Sequence, residues 1–287
     1  MSDYGKKIRL NRILRGKQRK ALIVAYDHAQ YVGPIPGTED PVSQVRRFAE
    51  AQVDGILLTL GTLKHCLDTL LTENPPSVLA RLDWTNWWLA AEQKKVEATR
   101  GCLVARVEDA LRYGADAVVT YLIMGTGEPD FEAKQFAQNT EIARESERLG
   151  VPHIIESLAR GKNIQNPSDP QWVRLHTRIA SELGADLIKT DYTGDVDSMR
   201  TVVESCPTPI LALGGPKQAS EEAALQVIRD VALAGAAGVI FGRNVFQAQN
   251  MEQFLRRARK VLAKTSLLAT NENSGLVGKT TRSNKFA

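Results

Sequence analysis

"LGADLIK" (residues 183–189) has two near-copies in the chain, "YGADAVV" (113–119) and "AGAAGVI" (234–240). In each, amphipathic sequence runs out at a glycine and a short apolar run follows. Glycine accepts the left-handed conformation that closes a helix, so each copy reads as a helix end, a turn and the start of a strand. Outward from these copies the alternation continues. Strand-like runs stand at "ALIVAYDH" (21–28), "DGILLT" (54–59), "SVLARLD" (77–83), "ADAVVTYLI" (115–123), "PHIIES" (152–157), "ADLIKTD" (185–191), "PILALGG" (209–215) and "GVIFGRN" (238–244). Between them lie helical patterns such as "PVSQVRRFAEAQV" (41–53), "FEAKQFAQNTEIARESERLG" (131–150), "QWVRLHTRIASELG" (171–184) and "EEAALQVIRDVALAGA" (221–236). Buried strands alternating with helices make a parallel sheet. Eight such units fit a closed (β/α)8 TIM barrel of the α/β class better than an open doubly wound sheet.

Two regions fall outside the alternation. Residues 83–102 form a long connection after the third strand. From Ser266 the sequence turns polar, which divides the chain into a barrel domain over 1–265 and a tail over 266–287 that is flexible or docks a partner. Hydrophobic residues make up 43% of the chain and charged residues 24%, ordinary values for a soluble globular protein. The net charge of +4 lies largely at the two ends, without the clustered basic face and aromatics that nucleic acid needs. Cys66, Cys102 and Cys206 are widely spaced and odd in number, which argues against a disulfide framework or a zinc knuckle and for a reducing cytoplasm. Neither a signal peptide nor a membrane span is expected. His65, His153 and His176 are dispersed and show no metal spacing.

In a barrel of this kind, chemistry gathers where the C-terminal ends of the strands meet the following loops. Period-2 alternation puts Leu187, Lys189 and Asp191 on one face, Ile23, Ala25 and Asp27 on another, and Ile154, Glu156 and Leu158 on a third. With those faces inward, Lys189, Asp27 and Glu156 converge at the mouth. Burial disfavours an ammonium, and an amine freed of its proton attacks carbonyls to form a Schiff base while neighbouring carboxylates shuttle protons. A lysine in this place could equally face a helix or pair with Asp191. Glycines end the seventh and eighth strands in "LGGPK" (213–217) and "FGRN" (241–244), exposing backbone N–H groups, and Lys217 or Arg243 could add charge for a phosphate. His28 is expected to point away from Asp27 into a structural hydrogen bond. Trp84, Trp87 and Trp88 line the mouth or form a subunit contact. Asp83 is a second-rank site residue, and Asp191 tunes Lys189 or caps a helix.

Taken together, "YDHAQYVGPIPG", "VEDALRYGADAVV", "GVPHIIESLARG", "GADLIKTDYTGD", "CPTPILALGGPK" and "AGAAGVIFGRNVFQ" resemble a known family. It is the class I aldolase family of archaeal-type fructose-bisphosphate aldolase, aminodideoxyheptulosonate synthase and autoinducer-2 phosphate thiolase. The resemblance covers some nine-tenths of the chain. It implies Lys189 as the Schiff-base lysine, Asp27 as its carboxylate, and Gly214, Gly215, Gly242 and Arg243 as a phosphate cradle. It further implies no metal or other cofactor, a phosphorylated ketose or ketone as substrate, and a homo-oligomer, often a decamer. Two positions depart from the family pattern. Ala29 replaces a glycine, and Leu158 stands where the family often has a proton-donating tyrosine. That implies a substrate other than fructose bisphosphate, with Glu156 first, or else Tyr121 or Tyr192, as replacement donor. An acyl-transferring thiolase, which would need a coenzyme A acceptor, and a catalytically impaired phosphosugar-binding or scaffold subunit are the competing readings.

Overall fold

A computed structural model of the chain describes residues 4–16, 18–88 and 98–277, with side chains to 265. In chain order the elements are α1 (Tyr4–Ile13), β1 (Ala21–Ala25), α2 (Ala29–Val32), α3 (Pro41–Glu50), β2 (Gly55–Thr59), α4 (Leu60–Leu70), β3 (Ser77–Arg81), β4 (Asp83–Thr85), β5 (Gly101–Leu103), α5 (Val107–Arg112), β6 (Ala117–Met124), α6 (Pro129–Leu149), β7 (His153–Ala159), α7 (Pro170–Glu182), β8 (Leu187–Thr190), α8 (Val196–Glu204), β9 (Ile210–Leu213), α9 (Glu221–Leu233), β10 (Gly238–Phe241), α10 (Arg243–Phe246) and α11 (Met251–Val277). Eight parallel strands close a barrel in the order β1–β2–β3–β6–β7–β8–β9–β10, each of the eight expected strands taking its place. The expected connection over 83–102 instead contains a small antiparallel hairpin, β4 with β5, whose register pairs Asp83 with Leu103. The last helix carries on to Val277, beyond the boundary expected at 265. Residues 278–287 of the expected tail lie outside the described residues.

Local chemistry starts and stops the helices. Asp40, Asp169, Asp195 and Ser220 cap α3, α7, α8 and α9 by accepting a first-turn backbone N–H. Gly184 and Gly235 of the repeated phrase adopt φ +92°, closing α7 and α9 in a conformation that a side chain would strain. The aspartate of that phrase has a second task. Asp186 Oδ2 accepts the His153 N–H at 2.8 Å while its own N–H donates to the His153 carbonyl at 2.8 Å. Asp116 does the same with Val78, and Asp54 with Leu22, so the aspartates tie successive strands at their N-terminal ends. Cations cover all three: Lys6 of α1 on Asp186 at 2.9 Å, Arg12 of α1 on Asp116 at 3.1 Å, and Arg259 of α11 on Asp54 at 3.3 Å. The third copy has Ala237 at this place, and there only the backbone bond to Ile210 remains.

The inward faces make a dry layer of Ala21, Ile23, Leu57, Leu79, Ala117, Val119, Ile154, Leu187, Leu211 and Ile240, with Ile13 and Leu14 packed against it from the N-terminal end. Outward-facing Leu22, Ile56, Val78, Val118, Ile155, Ile188 and Val239 join the helices in a larger cluster. The barrel interior is thereby sealed toward that end with apolar side chains, and the inward-facing charged groups lie toward the other.

Candidate active site

Two residues beyond the apolar layer, the same inward alternation brings up Asp27 on the β1 end, Arg81 on β3, Tyr121 on β6, Glu156 on β7, Lys189 on β8 and Gly242 on the β10 end. Register fixes their heights, since Tyr121 pairs with Glu156 and Glu156 with Lys189. Lys189 is 6% exposed, and its Nζ lies 2.8 Å from Glu156 Oε1. The expected convergence of Lys189, Glu156 and Asp27 is therefore met in the geometry, with Arg81 at its centre. The Arg81 Nε donates to Asp27 Oδ2 at 3.0 Å, and its Nη2 donates to Glu156 Oε2. Nη1 stands 3.5 Å from Asp83 Oδ1, and the guanidinium carbon lies 4.0 Å from the centroid of the Tyr121 ring.

These charges set the protonation states. Burial works to raise the Asp27 carboxyl, but the Arg81 guanidinium and the Lys189 ammonium outweigh it and hold Asp27 below the usual carboxylate range. Asp83 is pushed up to about 6 by burial, with Arg81 opposing. Burial takes His28 down to about 4 against the pull of Asp27, so its imidazole is neutral at pH 7. Tyr121 and Tyr31 are raised well above the usual phenol value by burial and stay protonated.

A cavity of about 350 Å³ opens above this layer, lined among others by Asp27, His28, Tyr31, Trp87, Trp88, Tyr121, Glu156, Arg160, Lys189, Asp191 and Arg243. Gly214, Gly215 and Gly242 form part of its wall. Gly215 has φ +62°, and a Cβ on Gly242 would stand 2.3 Å from the His28 ring. Asn244 holds the β9 and β10 loops together: its Nδ2 donates to Gly214 O at 2.9 Å, and its Oδ1 accepts the Gln218 N–H at 2.7 Å. Arg243 lines the cavity, and its Nε is buried without a hydrogen-bond partner among the described residues. On the opposite loop, Arg160 forks onto Asp191 at 2.7 and 2.8 Å, with its guanidinium carbon 5.9 Å from the Trp87 and Trp88 ring centroids.

Several expectations are corrected. Lys217 does not line the cavity; its ammonium donates to the Gln247 carbonyl at 2.7 Å on the exposed side of its loop. Tyr192 is turned outward and donates to Asp230 at 2.9 Å, because it follows Asp191 and alternation reverses its face. His28 makes no hydrogen bond through its ring among the described residues. It lines the cavity with Nδ1 unpartnered and 3.7 Å from Asp27 Oδ1, its ring packed edge-on to Phe246. Trp87 and Trp88 line the cavity, whereas Trp84 is half-buried in the aromatic cluster around Leu158. Asp83 lies behind the cavity wall, its Oδ2 accepting the Tyr121 N–H at 2.6 Å. Asp191 lines the cavity but is committed to Arg160. Buried His153 faces Thr120 and buried His176 faces Ser157, and among the described residues no group of side chains could hold a metal ion.

Sequence reasoning passed over Arg81, Tyr31, Arg160 and Asn244. Arg81 carried the same signal as Lys189, a charge two residues after an inward Leu79 in a buried strand. Asn244 carried none, since its partners lie on a loop some 30 residues away in sequence.

The family profile of the DeoC/LacD family aldolases matches residues 21–248. An uncharacterised aldolase of Saccharolobus solfataricus is 35% identical over 90% of this chain and 94% of its own length. The 2-amino-4,5-dihydroxy-6-oxo-7-(phosphonooxy)heptanoate synthase of Streptomyces griseus is 33% identical, over 86% of each chain. The class 1 fructose-bisphosphate aldolase of Thermoproteus tenax is 32% identical, over 84% of this chain and 88% of its own. Among solved structures, a Schiff-base-forming fructose-1,6-bisphosphate aldolase superposes with TM-score 0.76 at 29% identity, over 89% of this chain and 98% of the other. An archaeal fructose-1,6-bisphosphate aldolase with its catalytic lysine bound to a carbinolamine gives TM-score 0.78 with the same identity and coverage.

Proposed function

The chain belongs to the DeoC/LacD family of aldolases, class I enzymes that work without a metal, and on that premise we propose that Lys189 is its Schiff-base nucleophile. The substrate in this reading is a small ketone phosphorylated beside its carbonyl, a feature shared by fructose bisphosphate and the 6-oxo-7-(phosphonooxy) product of the Streptomyces relative. The observation that carries the reading is the Lys189–Glu156 contact of 2.8 Å at the floor of a cavity walled by Gly214, Gly215, Gly242 and Arg243.

Glu156 takes a proton from the Lys189 ammonium, and the free amine attacks the ketone carbon. The resulting carbinolamine loses its hydroxyl as water, with Glu156 returning the proton, and leaves a protonated imine. Asp27, held ionised by its cations, removes the proton from the hydroxyl on the carbon beyond the bond to be cut. That bond breaks, its electrons pass into the imine to give an enamine, and an aldehyde departs. Protonation and hydrolysis of the enamine regenerate Lys189. The imine itself is the electron sink, so the reaction calls for no cofactor. Backbone N–H groups at the three glycines and the Arg243 guanidinium anchor the phosphate. Glu156 stands in for the tyrosine that Leu158 replaces, and the neutral His28 packs over Gly242 beside the anchored group.

The unit that carries this chemistry is residues 1–265, because Phe254, Leu255, Ala258 and Leu262 of α11 are buried in the main core. A cytoplasmic location, in keeping with free cysteines, and a homo-oligomeric state belong to the same reading. Borohydride reduction during incubation with dihydroxyacetone phosphate and related phosphorylated ketones tests it. The expected result is a ligand-derived mass on the peptide containing Lys189, absent in Lys189→Met. An adduct on another lysine, or none from any ketone that binds, would exclude the assignment.

A further inference from the structure

We propose that Arg81 is the positioning residue of this site, a guanidinium clamp that fixes Asp27 and Glu156 on either side of Lys189 with one oxygen of each left for the reaction. The inference rests on Lys189 being the nucleophile.

Arginine is a costly choice for this place. It is 1% exposed, and it follows Leu79 on the inward face of β3, where another apolar residue would continue the dry layer. What the position has in return is geometry. A guanidinium is planar and presents its donors at fixed angles, so two carboxylates bound to two of its nitrogens are fixed relative to one another. Here Nε donates to Asp27 Oδ2 and Nη2 to Glu156 Oε2. The remaining oxygens are Glu156 Oε1, which meets Lys189 Nζ at 2.8 Å, and Asp27 Oδ1, 3.7 Å from His28 Nδ1. The clamp thus spans strands β3, β1 and β7 and leaves a working oxygen on each carboxylate.

The guanidinium is itself held in place. The Tyr121 ring of β6 lies against its face, and Asp83 of β4 stands 3.5 Å from Nη1, which has no hydrogen-bond partner among the described residues. Asp83 is anchored in turn by the Tyr121 backbone N–H. Around the two clamped carboxylates the other ionisable groups are Lys189 of β8, His28, Tyr31 of α2, Tyr121 and Asp83. Arg81 is the strongest of the attractions that keep Asp27 ionised against burial. A lysine at 81 would retain the charge, yet a single ammonium cannot hold two carboxylates at a set angle.

The test compares the full-length protein with Arg81→Lys and Asp83→Asn, using steady-state cleavage and borohydride trapping across pH. Arg81→Lys is expected to lower kcat by roughly 100-fold, the scale set by loss of alignment, while KM for the phosphorylated ketone stays within about threefold. Its acid limb should move up by about one pH unit, because Asp27 loses its best-placed cation. Asp83→Asn, which keeps an oxygen for the Tyr121 N–H, should move that limb the other way, since Arg81 then answers to two carboxylates instead of three. An Arg81→Lys enzyme with unchanged kcat and pH profile, or with its loss confined to KM, overturns the proposal. Should Arg81→Lys fail to fold by circular dichroism, an unmoved acid limb in Asp83→Asn overturns it alone. Failure of wild-type trapping at Lys189 would instead sink the underlying assignment, so the two are distinguishable.

Discussion

Glu156 divides its two oxygens between two cations, Lys189 and Arg81, and that division shapes its chemistry. A carboxylate bound to a lysine alone would simply hold an ammonium in place. One already bound to a permanent guanidinium can pass a proton to and from the amine without becoming an isolated buried charge. Glu156→Gln keeps the size and one acceptor but cannot carry the proton. Imine trapping at Lys189 should slow by roughly 100-fold or more, the usual scale for losing a general acid–base, while phosphate-ligand affinity stays near wild type. Trapping at the wild-type rate would show that another group serves Lys189. Leu158, fully buried among Tyr31, Tyr121, Ile123 and Phe131, offers no proton of its own, so the burden on Glu156 is a direct consequence of that packing.

At the scale of the element, each inward strand is a short apolar stem with a functional tip, and the stem must be correctly registered for the tip to be useful. A one-residue slip of β8 would turn Lys189 out toward the helices and Ile188 in. The aspartates at the strand starts guard against this by adding a side-chain acceptor to the first rung of the ladder. Asp186→Ala removes the acceptor of the His153 N–H and one of the two carboxylates that hold Lys6, leaving Glu147 at 2.7 Å. It should cost about 2 kcal/mol in urea-induced unfolding, the ordinary penalty for taking the acceptor from a buried N–H, with a weakened Lys6 pairing added. Asp116→Ala should cost less, because its cation Arg12 is 61% exposed and can turn to water. Equal costs for the two would argue that the Lys6 pairing adds nothing.

For the whole molecule, the buried histidines link folding to pH. His153 and His176 are each lowered to about 3, chiefly by burial, in pockets shared with Thr120 and Ser157. Their folded-state values lie below the ordinary 6.5 of the unfolded chain, so below that pH the unfolded state binds more protons. Stability therefore falls with pH from about 6.5 toward 3, by up to about 1.4 kcal/mol per pH unit for each histidine. Urea midpoints measured between pH 7 and 5 should show this slope, and a His153→Gln variant should show a shallower one. An unchanged slope would mean that this histidine takes a proton without unfolding.

The alternation of glycine-ended helices with short apolar runs determined the barrel from sequence alone, because strand length, helix closure and side-chain period are local properties. Period 2 likewise put Lys189 on the face of Leu187, Asp27 on that of Ala25 and Glu156 on that of Ile154, since a strand has only two directions for its side chains, and closure of the barrel turned those faces inward. What the tertiary structure decided is which charges meet. Arg81 reaches Asp27 across 54 positions and Glu156 across 75, while Arg160 turns to Asp191 and Lys217 turns away from the cavity. Local pattern can state that a charge will be buried at a strand tip. Only closure of the barrel brings distant tips within 3 Å of one another, and electrostatic interaction depends on that distance.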